Sequence, residues 1–188
     1  MRRSRGGRYD AAMIDLVITL IGPDRPGIVD SVSEVVAAHG GNWLESRMAH
    51  LGGKFAGVLC VEVAEEQVAA LEDALGSLEA GGLKVVVERG EAVETVGRRA
   101  MEIELLGVDR PGLVHEVSAL LAARGINVEE LATDRLPAAH SGDRMFHAQI
   151  RAMVPEAASM TDVRQGLERL ADDLMVEIRV AEALGPKR

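Results

Sequence analysis

The chain has 188 residues, 47% of them hydrophobic and 27% charged, with a formal net charge of −9; this is globular composition. The acidic balance argues against a nucleic-acid partner, because affinity for a phosphate backbone rests on clustered Lys and Arg. No stretch approaches the roughly 20 apolar residues of a membrane span, and the single cysteine, Cys60, cannot close an internal disulfide.

In chain order, Arg2, Arg3, Arg5 and Arg8 first crowd a leader, residues 1–12. It reads as a basic arm, as a frayed terminus, or as the product of a start upstream of Met13. It is not a secretory signal, since the apolar run behind it is short and interrupted by Asp15; the cytoplasm is the expected compartment. A first domain then spans 13–90. Ile14, Leu16, Ile18 and Leu20 alternate with Asp15, Val17 and Thr19, the period of a half-buried strand. Ile28/Val29, Val32 and Val35/Val36 recur at helical spacing, with Pro26 suited to a first turn and Gly40 to a C-terminal stop. Two strands follow, Asn42 to Met48 and Lys54 to Val63, joined at Gly52-Gly53. A second helical stripe, Val68, Leu71, Leu75 and Leu78, stops at Gly81-Gly82, and Leu83 to Val87 closes the unit.

Residues 91–99 are polar and read as a linker. The second domain, 100–182, repeats the pattern: a strand through Met101, Ile103 and Leu105, and a helix from about Pro111 to Arg124. A second helix then carries Val163, Leu167 and Leu170, and a last strand Leu174, Val176, Ile178 and Val180. A longer loop, Pro137 to Gly142, adds about six residues, so Phe146 corresponds to Phe55. Residues 183–188 form a tail.

The repetition extends to letters. Gly22-Pro23-Asp24-Arg25-Pro26-Gly27-Ile28-Val29 returns about 85 residues later as Gly107-Val108-Asp109-Arg110-Pro111-Gly112-Leu113-Val114. The match continues through Val32/Val117, Ser33/Ser118, Gly40/Gly125 and Asn42/Asn127, which marks an internal duplication. Each βαββαβ unit, wound with right-handed crossovers, gives an α+β domain: a four-stranded antiparallel sheet with both helices on one face. The other face is expected to differ between repeats. In the second it carries Glu102, Glu104, His147, Gln149, Arg151, Glu177 and Arg179; in the first Val17, Thr19, Ala56, Val58, Cys60 and Val86, an apolar surface that calls for cover. The leader, a second chain or a partner protein could supply it.

The Asp-Arg-Pro-Gly turn lies between a strand and a helix N-terminus, where unpaired N–H groups and the dipole favour a carboxylate. Asn42 and Asn127 offer an amide that donates to a carboxylate and accepts from an ammonium. Together these are the groups that hold a free amino acid. A helix of about 13 residues is roughly 20 Å long, so one repeat cannot close both groups on one small ligand. Two repeats about a pseudo-twofold axis can, with the Gly27 turn facing Asn127 and the Gly112 turn facing Asn42, and binding would then couple to how the domains dock. The same residues also admit plainer roles: Asp24 and Asp109 as helix caps, Pro and Gly as turn formers, and the asparagines in left-handed bends.

These residues resemble the ACT domain family: Asp-Arg-Pro-Gly-[Ile/Leu]-Val after an apolar strand, with Gly-x-Asn about 13 residues on. The tandem pair, spanning nearly residues 13 to 182 with no catalytic domain attached, is similar to the glycine cleavage system transcriptional repressor group. The resemblance implies ferredoxin-like folding, domain pairing and non-enzymatic regulation by a small, glycine-like amino acid bound between domains. It implies ligand contacts at Asp24, Arg25, Pro26, Gly27, Ile28 and Asn42, and at Asp109, Arg110, Pro111, Gly112, Leu113 and Asn127. The implied partner is a regulatory protein such as a transcriptional activator, without direct nucleic-acid or membrane contact; a homodimer is open. Neither a cofactor nor a metal is expected. Trp43 stands where the second repeat has Val128, a departure between the two sites.

Other chemistry finds less support. An acylphosphatase-like reading could use Arg25 and Asn42, but the glycine-rich loop of that family is absent and Pro26 occupies its place. Ser31 and Ser33 lie near Asp30 and His39 without a nucleophile-elbow pattern. The five histidines, His39, His50, His115, His140 and His147, show no metal spacing. Cys60 alternates within an apolar strand and reads as a packing residue. A ligand-free interaction scaffold is the remaining alternative.

Overall fold

The computed structural model describes residues 12–91, 97–137 and 144–182. The basic leader through residue 11, residues 92–96 of the linker, the inserted loop 138–143 and the tail lie outside the described residues. The chain divides into two compact units, the first up to residue 93 and the second from residue 94.

The first unit runs β1 (Met13–Pro23), α1 (Ile28–Ala38), β2 (Asn42–Leu51), β3 (Lys54–Ala64), α2 (Val68–Gly76) and β4 (Lys84–Arg89). The second runs β5 (Arg98–Val108), α3 (Leu113–Ala122), β6 (Asn127–Pro137), β7 (Arg144–Pro155), α4 (Met160–Leu174) and β8 (Val176–Glu182). Each builds an antiparallel sheet, ordered β2-β3-β1-β4 and β6-β7-β5-β8. The expected α+β, ferredoxin-like architecture is what forms.

Alternation decides which side of each strand meets the helices. Leu16, Ile18 and Leu20 of β1 and Leu59, Val61 and Val63 of β3 are buried with Ile28, Val32 and Val36 of α1 and Val68, Leu71 and Leu75 of α2. The second core matches it, with Met101, Ile103 and Leu105 against Val117, Leu121, Val163 and Leu167. With so few aromatics, these aliphatic layers supply the hydrophobic stabilisation, and truncating a fully buried leucine such as Leu71 to alanine costs about 2–5 kcal/mol.

Helix boundaries differ from expectation in physically instructive ways. Pro26 and Pro111 were expected in the first helical turns. Instead Gly27 (φ 87°) and Gly112 (φ 98°) take left-handed geometry directly after them. A left-handed residue cannot lie within a right-handed helix, so α1 and α3 start one residue beyond each glycine. At the other end Gly40 (φ 70°) and Gly125 (φ 67°) close both helices. The next amides, Gly41 and Ile126, donate back to Val36 and Leu121 at 2.9 and 3.1 Å, the double-bonded stop that glycine permits. Leu174, read above as strand, is the last residue of α4; Met175 (φ 54°) makes the bend before β8.

Candidate functional site

Both repeated turns are built alike. The aspartate amide is anchored to the hairpin that follows the second strand: Asp24 donates to the Gly53 carbonyl at 3.2 Å and Asp109 to that of Arg144 at 2.8 Å. The aspartate side chains do not cap the helices. Glycine holds the N-cap position in each unit, and no side chain accepts from the first helical amides there. The capping role open from sequence therefore fails, and the first-turn N–H groups keep their positive end free of a side-chain acceptor.

The carboxylates turn instead toward the second strand. Asp109 Oδ2 lies 3.0 Å from Arg135 Nε, and Asp24 Oδ2 lies 3.8 Å from His50 Nε2. Sequence reasoning missed these partners. The signal was present, since His50 and Arg135 stand at the same repeat offset as Asn42 and Asn127 and pair across their hairpins with Phe55 and Phe146. Arg110 leans over the helix start, with Nη1 3.5 Å from Glu116 Oε1. Where the second repeat has Glu116 the first has Ser31, whose hydroxyl donates to the Gly27 carbonyl at 2.8 Å. In the second unit a depression of about 490 Å³ is lined by Asp109, Arg110, Gly112, Leu113, Arg135 and Phe146, among others.

Asn42 and Asn127 begin β2 and β6, both exposed. Neither takes positive φ, because Met175 is the only non-glycine residue that does so among the described residues. The left-handed bend offered as a plain explanation is thus removed. Their position in the unit is decisive. Asn127 pairs with Met153, whereas Arg135, which touches the turn, pairs with Phe146. Eight residues of strand separate the two, about 27 Å at the usual rise. Within one unit the turn residues Asp109 to Leu113 come together and Asn127 does not join them; Asn42 and Asp24 to Ile28 are separated the same way. The acylphosphatase-like reading fails on this geometry too, because Arg25 and Asn42 occupy opposite ends of one unit.

Titration adds little to the site. Burial, then Asp15 and Glu45, push the Cys60 thiol above its ordinary pKa, but Cys60 is on β3, away from the turn. Among the described residues no cluster of three His, Cys, Asp or Glu side chains could hold a metal ion. No helix there is long and apolar enough to cross a membrane.

Comparison with known proteins places this architecture. An ACT domain family model matches residues 15–88, the body of the first unit. The chain is 30% identical over 161 residues to the glycine cleavage system transcriptional repressor of Escherichia coli K12, covering 85% of each chain. The Shigella flexneri repressor of the same name matches equally. A crystal structure of an unknown protein from Galdieria sulphuraria superposes with a TM-score of 0.79 at 31% identity, over 92% of this chain and all of that one. The fold and its repeated turn define a tandem ACT-domain protein. More closely, the chain belongs to the family of the glycine cleavage system transcriptional repressor. It is a regulatory protein and not an enzyme, as are the repressors it matches over most of both chains.

Proposed function

We propose that this protein is a cytoplasmic sensor that binds a small, glycine-like amino acid between ACT units and thereby controls a partner protein such as a transcriptional activator. The observation that carries the reading is the doubled, uncapped helix N-terminus beside a carboxylate, at Asp24–Ile28 and Asp109–Leu113. A ligand carboxylate has the first-turn N–H groups and dipole available to it, and a ligand ammonium has the aspartate. Asn42 and Asn127, too far from their own turns, complete the site of another unit, in the same chain or in a second copy. Ligand affinity is then linked to how units associate, and a partner that distinguishes those arrangements reads the amino-acid concentration.

The test is thermal denaturation of the full chain against each of the twenty amino acids, followed by calorimetric titration of any that respond. At least one small amino acid raises Tm, since a ligand present at a hundred times its Kd stabilises the folded state by about 2.7 kcal/mol. Replacing Asn127→Ala weakens that ligand at least tenfold, about 1.4 kcal/mol, and leaves the unliganded Tm unchanged. A chain that responds to none of the twenty is a ligand-free interaction scaffold.

A further inference from the structure

The two units part company on the sheet side that carries no helix. On the first sheet Val17, Thr19, Val58, Cys60 and Val86 are cross-strand neighbours, with Val58 40% and Val86 57% exposed. The second sheet has Glu102, Glu104, Gln149, Arg151 and Arg179 at the matching positions, and Glu104, Arg151 and Arg179 are partnered on the spot. Glu104 meets His147 at 3.1 Å and Arg179 at 3.7 Å, and Arg151 meets Glu129 at 3.5 Å. One duplicated surface is polar throughout, and the other is largely apolar across its central strands.

Charge on the first face is ordered along the strands. One register across the sheet runs Glu88, Val17, Cys60, Glu45, with Asp15 and Glu62 paired just beyond it. The central register holds Val86, Thr19 and Val58, with Arg47 at the edge bonded to its own neighbour, the Ser46 carbonyl, at 3.1 Å. The third runs Lys84, Ile21, Ala56, Ala49. The face is therefore acidic at one end, apolar in the middle except for Arg47 on the β2 edge, and on β4 basic at the other end.

We infer that this face stacks on the same face of a second copy, about a twofold axis lying in the interface and running across the strands. That axis reverses strand direction and lays β4 on β4 of the other copy. Lys84 then meets Glu88 of the second chain, twice by symmetry, and Val58 and Val86 pack on their own counterparts. The other in-plane axis, along the strands, would set Glu88 on Glu45 and Asp15 on Glu62, each twice, a larger like-charge repulsion than the single approach of Arg47 to Arg47 at the rim under the first axis. Four strands spaced about 4.8 Å apart and about 20 Å long give a flat footprint near 400 Å² per copy. That is at the small end for a specific interface, so the dimer dissociates on dilution. This surface is separate from the turn site and stands whether or not an amino acid binds.

Sedimentation equilibrium of the full chain over a wide concentration range tests it, with circular dichroism confirming that each variant folds. The expected result is a reversible monomer–dimer equilibrium, weakened at least tenfold by Val58→Glu and by Lys84→Glu. The reversed pair Lys84→Glu/Glu88→Lys restores association, which a merely structural role for Lys84 would not produce. A chain that stays monomeric throughout, as when its own leader covers the face, overturns the inference. So does a dimer indifferent to Val58→Glu, or one weakened by Lys84→Glu and not rescued by the reversed pair.

Discussion

Gly22 and Gly27 sit five residues apart in the repeated stretch and are glycines for opposite reasons. A Cβ on Gly22 would come within 2.9 Å of the Gly82 carbonyl oxygen, and one on Gly107 would overlap the Val176 side chain. Gly27 has open space around its would-be Cβ but takes a φ of 87°. Gly107→Ala should therefore cost about 1–3 kcal/mol as overpacking, visible as a lower denaturation midpoint, and Val176→Ala in the same chain should recover part of it. Gly27→Ala should cost about 1–2 kcal/mol through its left-handed backbone alone, and no neighbouring truncation should rescue it. The repetition made both positions legible as important, yet letters alone cannot distinguish a crowded glycine from a left-handed one. His50 and Arg135 escape notice although they stand at the repeat offset, because a histidine and an arginine share no letter that marks the match. Cys60 yields a further expectation. Its raised pKa, caused by burial first and then by Asp15 and Glu45, lowers the thiolate fraction at neutral pH. Alkylation by iodoacetamide should be slower than for a free cysteine and speed up on raising the pH, and Glu45→Gln should accelerate it.

Strand and helix identities were readable because buried residues follow clean periods: every second residue in β1 and β5, every fourth in α1 and α3. Ends were harder. Leu174 fits the stripe of Leu167 and Leu170 and also the alternation of Val176, Ile178 and Val180, and periodicity cannot choose between them. What chooses is Met175, which ends α4 with a left-handed residue and is 87% exposed. Its side chain loses little contact on removal, so Met175→Gly should raise stability by roughly 0.5–1 kcal/mol, measured by urea denaturation. Gly125→Ala should do the reverse at the end of α3 and, as for Gly27, cost about 1–2 kcal/mol. The starts of α1 and α3 were displaced for the same reason: proline suits a first turn, but a left-handed glycine after it forbids one.

For the whole molecule, duplication was the strongest signal, and it carried the architecture, the family and the contrast between the two open faces. The candidate site was legible only in halves. The turn residues are contiguous in sequence and assemble locally, whereas the asparagines stand some eight residues of strand away, and no local signal says which turn each one serves. Copying also relaxes constraint, because a face that one unit keeps for contact can be spent on water by its twin. A saturation-mutagenesis survey scored for dimer assembly should accordingly return two unlike profiles from one fold. Charged replacements at Val17, Val58 and Val86 should be selected against, while Glu102, Gln149 and Arg179 should accept nearly any polar residue.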